Sequence, residues 1–317
     1  IAGIIVAIIA LPLSIALALA SGVTPEKGIY TAITAGFVIS FLGGSRVQIA
    51  GPTAAFATIV AGIVAKNGMD GLIIATLLAG VILILMGFLR LGNLIKFIPY
   101  TITTGFTSGI AVTIFIGQIK DFLGLTIVSE EPLIETMDKL KAVFQFISTT
   151  NVQALLVGVI SLLILILWQY LPGFCKKIPP SLIAVLVGSA MVALLNMNVN
   201  TIGDLYEISN KLPSISLPAF SLKTVQNVLP DAFTIAILAA IESLLSCVVA
   251  DSMVNSRHRS NMELIAQGAG NITSALFGGI PATGAIARTA ANVKNGGRTP
   301  IAGMVHSVTL LLILVVL

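Results

Sequence analysis

Charge is what this chain lacks. Of its 317 residues only 9% are charged, while 56% are hydrophobic and the mean hydropathy is +1.05. A soluble domain carries about 25% charged residues. A water-soluble fold of this size could not hide so much apolar surface, so the composition points to a polytopic membrane protein. Cysteine is equally scarce. Cys175 and Cys247 lie far apart in different segments, which suggests neither a disulfide framework nor a metal cluster, and both read as packing thiols. The net charge of +4 and pI near 9.1 do not indicate a nucleic-acid partner. Lysine and arginine anchoring cytoplasmic loops account for them better.

A spanning helix needs about 20 mostly apolar residues. Eleven stretches approach that length: 2–20, 28–44, 47–65, 71–91, 97–119, 152–170, 180–197, 229–250, 261–277, 280–293 and 300–317. The first twenty residues lack the positive region of a signal peptide and are expected to be a first spanning helix without its leader. With the open apolar end at Leu317, this makes the sequence read as an excerpt of a longer protein. Between the fifth and sixth stretches, Ile134, Met137, Leu140, Phe144 and Ile147 recur at helical spacing, predicting an interfacial amphipathic helix over Ser129–Ile147. The polar stretch Asn198–Lys223 is the longest loop.

The loops differ in sign. With the N-terminus inside, one set carries Arg46, Arg90, Lys96, Lys176, Lys177, Arg257, Arg259, Lys294 and Arg298 against only Asp251 and Glu263. Such a bias marks the cytoplasmic side. Once all loops and segment ends are assigned, only Glu242 and Arg288 fall within spanning segments. A charge at mid-bilayer costs on the order of 3 kcal/mol, so both are expected to face an interior cavity. His258 and His306 read as structural. No His–Cys or His–Asp pair occurs at usable spacing within the spanning segments, so no enzyme is expected.

Two segments are broken. In the tenth, Phe277–Asn292, the residues Gly278, Gly279, Pro281 and Gly284 stop a helix, predicting extended backbone and then a short helix from Thr283 or Gly284. In the third, Gly51-Pro52 does the same ahead of a helix from Thr53. Freed backbone groups are tolerated in a membrane only when buried in protein or lining a wet cavity. Matched interrupted segments separated by seven crossings would point in opposite directions, the pattern of inverted-repeat secondary transporters. Each half-helix aims unpaired N–H groups and about +0.5 of a charge at the centre, which favours an anion. Arg288 adds a full positive charge.

These residues also carry a resemblance. ALPLSIALALASGVTPEKGIY, IAGPTAAF, GFLRLGNLIKFIPYTITTGFTSGIA, AIESLLSCVVAD and GGIPATGAIARTAANVKNGGRTPIAG together resemble the SulP inorganic anion transporters, the group of sulfate permeases and bicarbonate transporters that includes pendrin and prestin. The resemblance implies an all-α polytopic fold of fourteen segments in two inverted sevens, here reduced to about eleven. It divides the chain into a first core repeat (1–91), a first gate repeat (97–197), an inter-repeat loop (198–228) and a second core repeat (229–317). The remaining gate helices and a STAS domain would lie outside it. Carried over by position, Thr53, Ala54, Gly284, Ala285, Ile286 and Ala287 would surround the anion, with Arg288 just behind. Glu242 and Ser246 would be the cation-coupling positions, taking H+ or Na+; the alternative for Glu242 is a structural carboxylate paired with Arg288 or backbone amides. Many sulfate-carrying members have glutamine where this chain has Leu13, and serines where it has Ile286 and Ala287. With fewer side-chain donors, bicarbonate or a small carboxylate fits at least as well as sulfate.

The implied function is secondary active transport of sulfate, bicarbonate or a dicarboxylate by an elevator-type mechanism. The alternative is an anion exchanger or channel-like conductor without cation coupling. The implied partners are a small anion, H+ or Na+, the bilayer and a second copy in a homodimer, with no cofactor. The expected location is a bacterial inner membrane.

Overall fold

The computed structural model describes residues 1–93, 100–128, 133, 135–171, 180–206, 212–215 and 217–316. Cys175, Lys96, Lys176, Lys177 and the beginning of the predicted amphipathic helix, with Glu130, Glu131 and Ile134, lie outside them. The described residues are mostly helical. In chain order the elements are α1 (Ala2–Ala20), α2 (Pro25–Leu42), β1 (Ala50–Gly51), a 3-10 turn (Ala54–Phe56), α3 (Ala57–Phe88), α4 (Tyr100–Leu123), α5 (Thr136–Gln145), α6 (Val152–Leu167), α7 (Pro180–Leu194), α8 (Ile202–Leu205), α9 (Leu222–Val254), α10 (Ser260–Leu276), β2 (Thr283–Gly284), α11 (Ile286–Lys294) and α12 (Ile301–Val316). By length and composition, α1, Ala54–Phe88 and α9 can each cross a membrane.

Several predicted boundaries move. The third and fourth segments are one helix, α3, broken only at Gly68, whose φ of 67° and ψ of −172° are open to glycine but not to a β-carbon-bearing residue. The eighth, expected over 229–250, runs from Leu222 to Val254 with Pro230 inside. The predicted amphipathic helix is α5, followed by a 3-10 turn over Ile147–Thr149. Both helices that follow the breaks begin later than expected. The third segment turns α-helical at Ala57 rather than Thr53, and the tenth at Ile286 rather than Thr283 or Gly284. The physical reason differs between them: Thr283 and Gly284 are taken up in extended pairing, whereas Ala54–Phe56 wind as a 3-10 turn before the α-helix starts.

The chain divides into two compact units, Ile1–Thr104 with Ile208–Leu317, and Gly105–Glu207. In the first, α3 packs on α9 and α10, and α2 packs on α1, α10 and α12. Its largest apolar cluster includes Phe56, Val60, Leu72, Leu83, Ile235 and Leu264. A methyl at Gly80 would lie 2.7 Å from the Gly268 carbonyl oxygen, so α3 and α10 meet at a distance only glycine permits. In the second unit, Asn151 Oδ1 accepts from the Gln153 and Ala154 amides and caps α6, while its Nδ2 donates to the Asn198 carbonyl at 2.7 Å.

Candidate functional site

The two interrupted segments meet. β1 pairs antiparallel with β2, Ala50 opposite Gly284 and Gly51 opposite Thr283, and the Ala285 N–H extends the ladder to the Ile49 carbonyl at 2.9 Å. Two-residue strands cannot stand on two pairs, so the surrounding helices supply the rest. Asn271 on α10 makes two hydrogen bonds to one residue: its Nδ2 donates to the Ala282 carbonyl and its Oδ1 accepts the Ala282 N–H, both at 2.9 Å. Thr31 on α2 accepts the Ile280 N–H at 2.7 Å, and Ser274 donates to the Ile280 carbonyl at 2.7 Å. On the β1 side, Thr289 Oγ1 accepts the Ile49 N–H at 3.0 Å and Asn292 donates to the Val47 carbonyl at 2.8 Å. These bonds meet the requirement that buried backbone groups be paired.

One face of α9 holds both segments. Glu242 accepts from the Thr53 hydroxyl at 3.0 Å, at the start of the third-segment helix. The next residue, Ser243, accepts the Gly284 N–H at 3.1 Å and shares a hydrogen with the Thr283 hydroxyl at 2.9 Å. A turn later Ser246 donates to Thr289 at 3.5 Å, and the Cys247 thiol donates to Gln48 Oε1. Of the two predicted coupling residues, then, Glu242 engages the third segment and Ser246 the tenth.

The tips are left open. No side chain caps the 3-10 turn that follows Thr53 or the α11 helix that follows Ala285, so the amide groups just after those two residues remain available. Ile286 and Ala287 are exposed, Ala54 is half-buried, and Thr53, Gly284 and Ala285 are buried. Arg288 is 2% exposed. Its Nη2 donates to the Ser14 hydroxyl at 3.3 Å and the Pro52 carbonyl at 3.2 Å. The guanidinium therefore grips the first break from behind. Among the described residues no ion pair joins Arg288 to Glu242.

Two groups carry more than their place in the sequence suggests. Glu263, a charge at a segment end by hydropathy, is fully buried in the first turn of α10. Its carboxyl accepts four bonds, from the amides of Gly44 (2.9 Å) and Ser45 (3.1 Å) and the side chains of Gln48 (3.0 Å) and Gln267 (2.9 Å). A buried acid needs such donors, and the glycine-rich turn at Gly43-Gly44 presents them. At the turn between α9 and α10, Asp251 Oδ2 accepts the His258 N–H at 3.0 Å and lies 2.7 Å from its Nδ1, while Ser260 Oγ lies 2.9 Å from its Nε2. This run of bonds staples the turn; a glutamate at a segment edge and a histidine in a polar loop give no local signal of either arrangement.

Residues 1–317 match the sulfate permease family. The chain belongs to that family. It is 46% identical over its whole length to YvdB of Bacillus subtilis (strain 168), covering 59% of that protein. It is 34% identical, over 98% of its length, to the bicarbonate transporter BicA of Picosynechococcus sp., covering 56% of it. This family member thus spans little more than half of the curated relatives it matches. Among solved structures, the transmembrane domain of a cyanobacterial BicA aligns with a TM-score of 0.85 at 32% identity, over 99% of this chain and 81% of that one. SLC26A9 aligns with a TM-score of 0.86 over 99% of this chain and 53% of that one; at 20% identity this speaks to the fold alone. The fold is that of a multi-pass transporter transmembrane domain, as the resemblance implied.

Proposed function

We propose that the chain is the anion-carrying part of a secondary active transporter, with the anion held between the tips of the third-segment helix and α11. The observation that carries this reading is the β1–β2 pairing, which sets two uncapped helix starts side by side with Arg288 behind them. Their amides and partial positive ends favour a small anion, each end contributing about 0.3–2 kcal/mol. Thr53, Ala54 and Gly284 to Ala287 line the position. The antiparallel sense of the pairing supports an inverted relation between the repeats. Bicarbonate or sulfate is the substrate class this reading favours, in keeping with the bicarbonate transporter named among its relatives. Glu242, hydrogen-bonded to Thr53, ties the site to a proton or Na+ and couples anion to cation. The first unit would carry the anion across the bilayer in an elevator-type movement.

The test is uptake of labelled bicarbonate and sulfate into proteoliposomes, with and without H+ and Na+ gradients. Accumulation against the anion gradient is expected; equilibration alone would replace the carrier with a channel. Arg288→Ala is expected to weaken apparent anion affinity about tenfold or more, since a charged donor in a water-poor site contributes about 1.5–3 kcal/mol. Unchanged affinity would remove Arg288 from the site.

A further inference from the structure

Four turns of the first unit, far apart in sequence, meet at the start of α10. The Arg259 N–H donates to the Gly44 carbonyl at 3.1 Å, and the Gly92 N–H donates to Asn261 Oδ1 at 3.0 Å. A methyl at Gly92 would lie 2.7 Å from the Ser260 carbonyl carbon, so that turn sits tightly on the helix start. The Val47 carbonyl accepts from Asn292 at 2.8 Å, and Val47 packs with Ala250 and Val293. The Gly297 N–H donates to the Asn292 carbonyl at 2.8 Å, which folds the turn before α12 back onto the same residue.

Each turn brings cations and leaves them unneutralised. Arg46, Arg90, Arg257, Arg259, Lys294 and Arg298 are exposed, and among the described residues none of them makes an ion pair. The two acids of this side are engaged elsewhere. Asp251 is bonded to His258, and the buried Glu263 carboxyl is occupied by its four donors. The positive-inside bias requires only that cations be spread along the cytoplasmic loops. Here the fold gathers them into one face.

Apolar side chains stand open beside the charge. Phe41, Phe88, Leu89 and Ile301 are exposed, each within a few residues of one of these arginines. Arg90 and Arg257 lie just beyond Phe88 and Val254, the ends of two helices long and apolar enough to cross a membrane. That places the cations at headgroup level, with the apolar side chains toward the hydrocarbon.

We propose that this face binds anionic phospholipid of the cytoplasmic leaflet, the arginines holding the headgroup phosphate and the open apolar side chains meeting its acyl chains. Five of the six cations are arginine, whose planar fork matches a phosphate with two parallel hydrogen bonds. Clusters of about four to eight basic residues next to a spanning helix attract anionic leaflets in general. An acidic protein segment arriving from water would meet the charge but leave the apolar side chains uncovered.

The test is thermal unfolding of the protein in uncharged detergent, titrated with phosphatidylglycerol. Stabilisation is expected, with an apparent affinity that falls as salt is raised. Each basic residue at an anionic surface contributes roughly fivefold, so Arg46→Gln/Arg259→Gln/Arg298→Gln should bind about a hundredfold more weakly. Lys66→Gln/Lys120→Gln/Lys141→Gln removes as many exposed cations elsewhere and should stay within about twofold of the unmodified protein, since salt screens distant charges. Equal loss in the two variants, no loss in the first, or no stabilisation of the unmodified protein overturns the proposal. So does phosphatidylcholine that stabilises as well, because apolar contact alone would then decide. Glycerophosphoglycerol binding as tightly as the lipid would mark a site for a soluble anion. Polyglutamate doing so would mark one for an acidic protein, and either result overturns the lipid. Should the arginine triple variant not fold, Arg46→Gln and Arg298→Gln decide singly, each expected to weaken binding about fivefold.

Discussion

Glu242 and Glu263 are both acids inside the helical bundle of the first unit, and they are provided for in opposite ways. Glu263 is fully buried and accepts four hydrogen bonds, two of them from the Gly44-Ser45 backbone. Its lone pairs are spoken for, and its bonds join α10 to the turn after α2 and to Gln48. Glu242 is half-buried, and the donor that serves it is a rotatable hydroxyl, that of Thr53. The first arrangement is what a structural acid requires. On the function proposed above, the second would let the carboxylate trade its partner for a passing ion, which a transport acid requires. The contrast also shows why a formal charge in a spanning segment is not by itself diagnostic: what counts is how many fixed donors the fold has committed to it.

Removing each carboxyl separately tests that contrast. Glu263→Ala strands four donors, two of them backbone amides that cannot turn elsewhere. Loss of about 3 kcal/mol or more of stability is expected, seen as unfolding of the detergent-solubilised protein at a much lower denaturant concentration. A near-neutral result would mean the turn after α2 is not held by this acid. Glu242→Gln disturbs only the Thr53 hydroxyl, which can rotate to a new acceptor, so stability should change by no more than about 1 kcal/mol. Its effect belongs to transport, where cation-driven accumulation is expected to fall about tenfold or more while the protein still folds. If accumulation survives, Glu242 belongs with Glu263 as a structural acid and the contrast dissolves.

How far these roles were legible depends on the kind of signal. Among the described residues hydropathy located the long helices, though it divided α3 in two, because an apolar run of bilayer length is hard to place anywhere but in a membrane. Gly51-Pro52 and Gly279-Ile280-Pro281 announced the two breaks, since local chemistry alone stops a helix there. Glu242 and Arg288 stood out as charges within apolar runs. The pairing of the breaks was not visible, because two residues per strand give no alternation to read. Nor were the side chains that make the breaks bearable. Thr31, Asn271, Ser274, Thr289 and Asn292 look like ordinary polar residues in helices. The usable cue was their number. Polar side chains in spanning segments need partners, and the unpaired backbone of the two breaks was the largest demand available. Glu263 was missed because it stands at a segment edge, where a solvated charge is the simpler expectation.

Asp204 extends the comparison to an acid with no burial at all, where the smallest effect is expected. It belongs to a capping box in the second unit: its carboxylate accepts the Thr201 N–H at 2.8 Å and the Thr201 hydroxyl at 2.6 Å, and its own N–H donates to Thr201 Oγ1 at 3.3 Å. The Thr201 hydroxyl, then the Thr201 amide, hold Asp204 below its ordinary value of 3.8. A group whose folded value is depressed stabilises the turn above the unfolded value, and that support drains away as pH falls through the folded one. The α8 turn should therefore loosen only on acidification below about pH 4, with little effect on the rest of the chain. Amide hydrogen exchange at Thr201, corrected for the intrinsic rate, is expected to lose protection across that range, and Asp204→Asn should flatten the dependence. Protection that holds into strong acid in the unmodified protein would mean that α8 is kept by its apolar contacts instead, and that hydrogen bonds to an exposed acid decide nothing here.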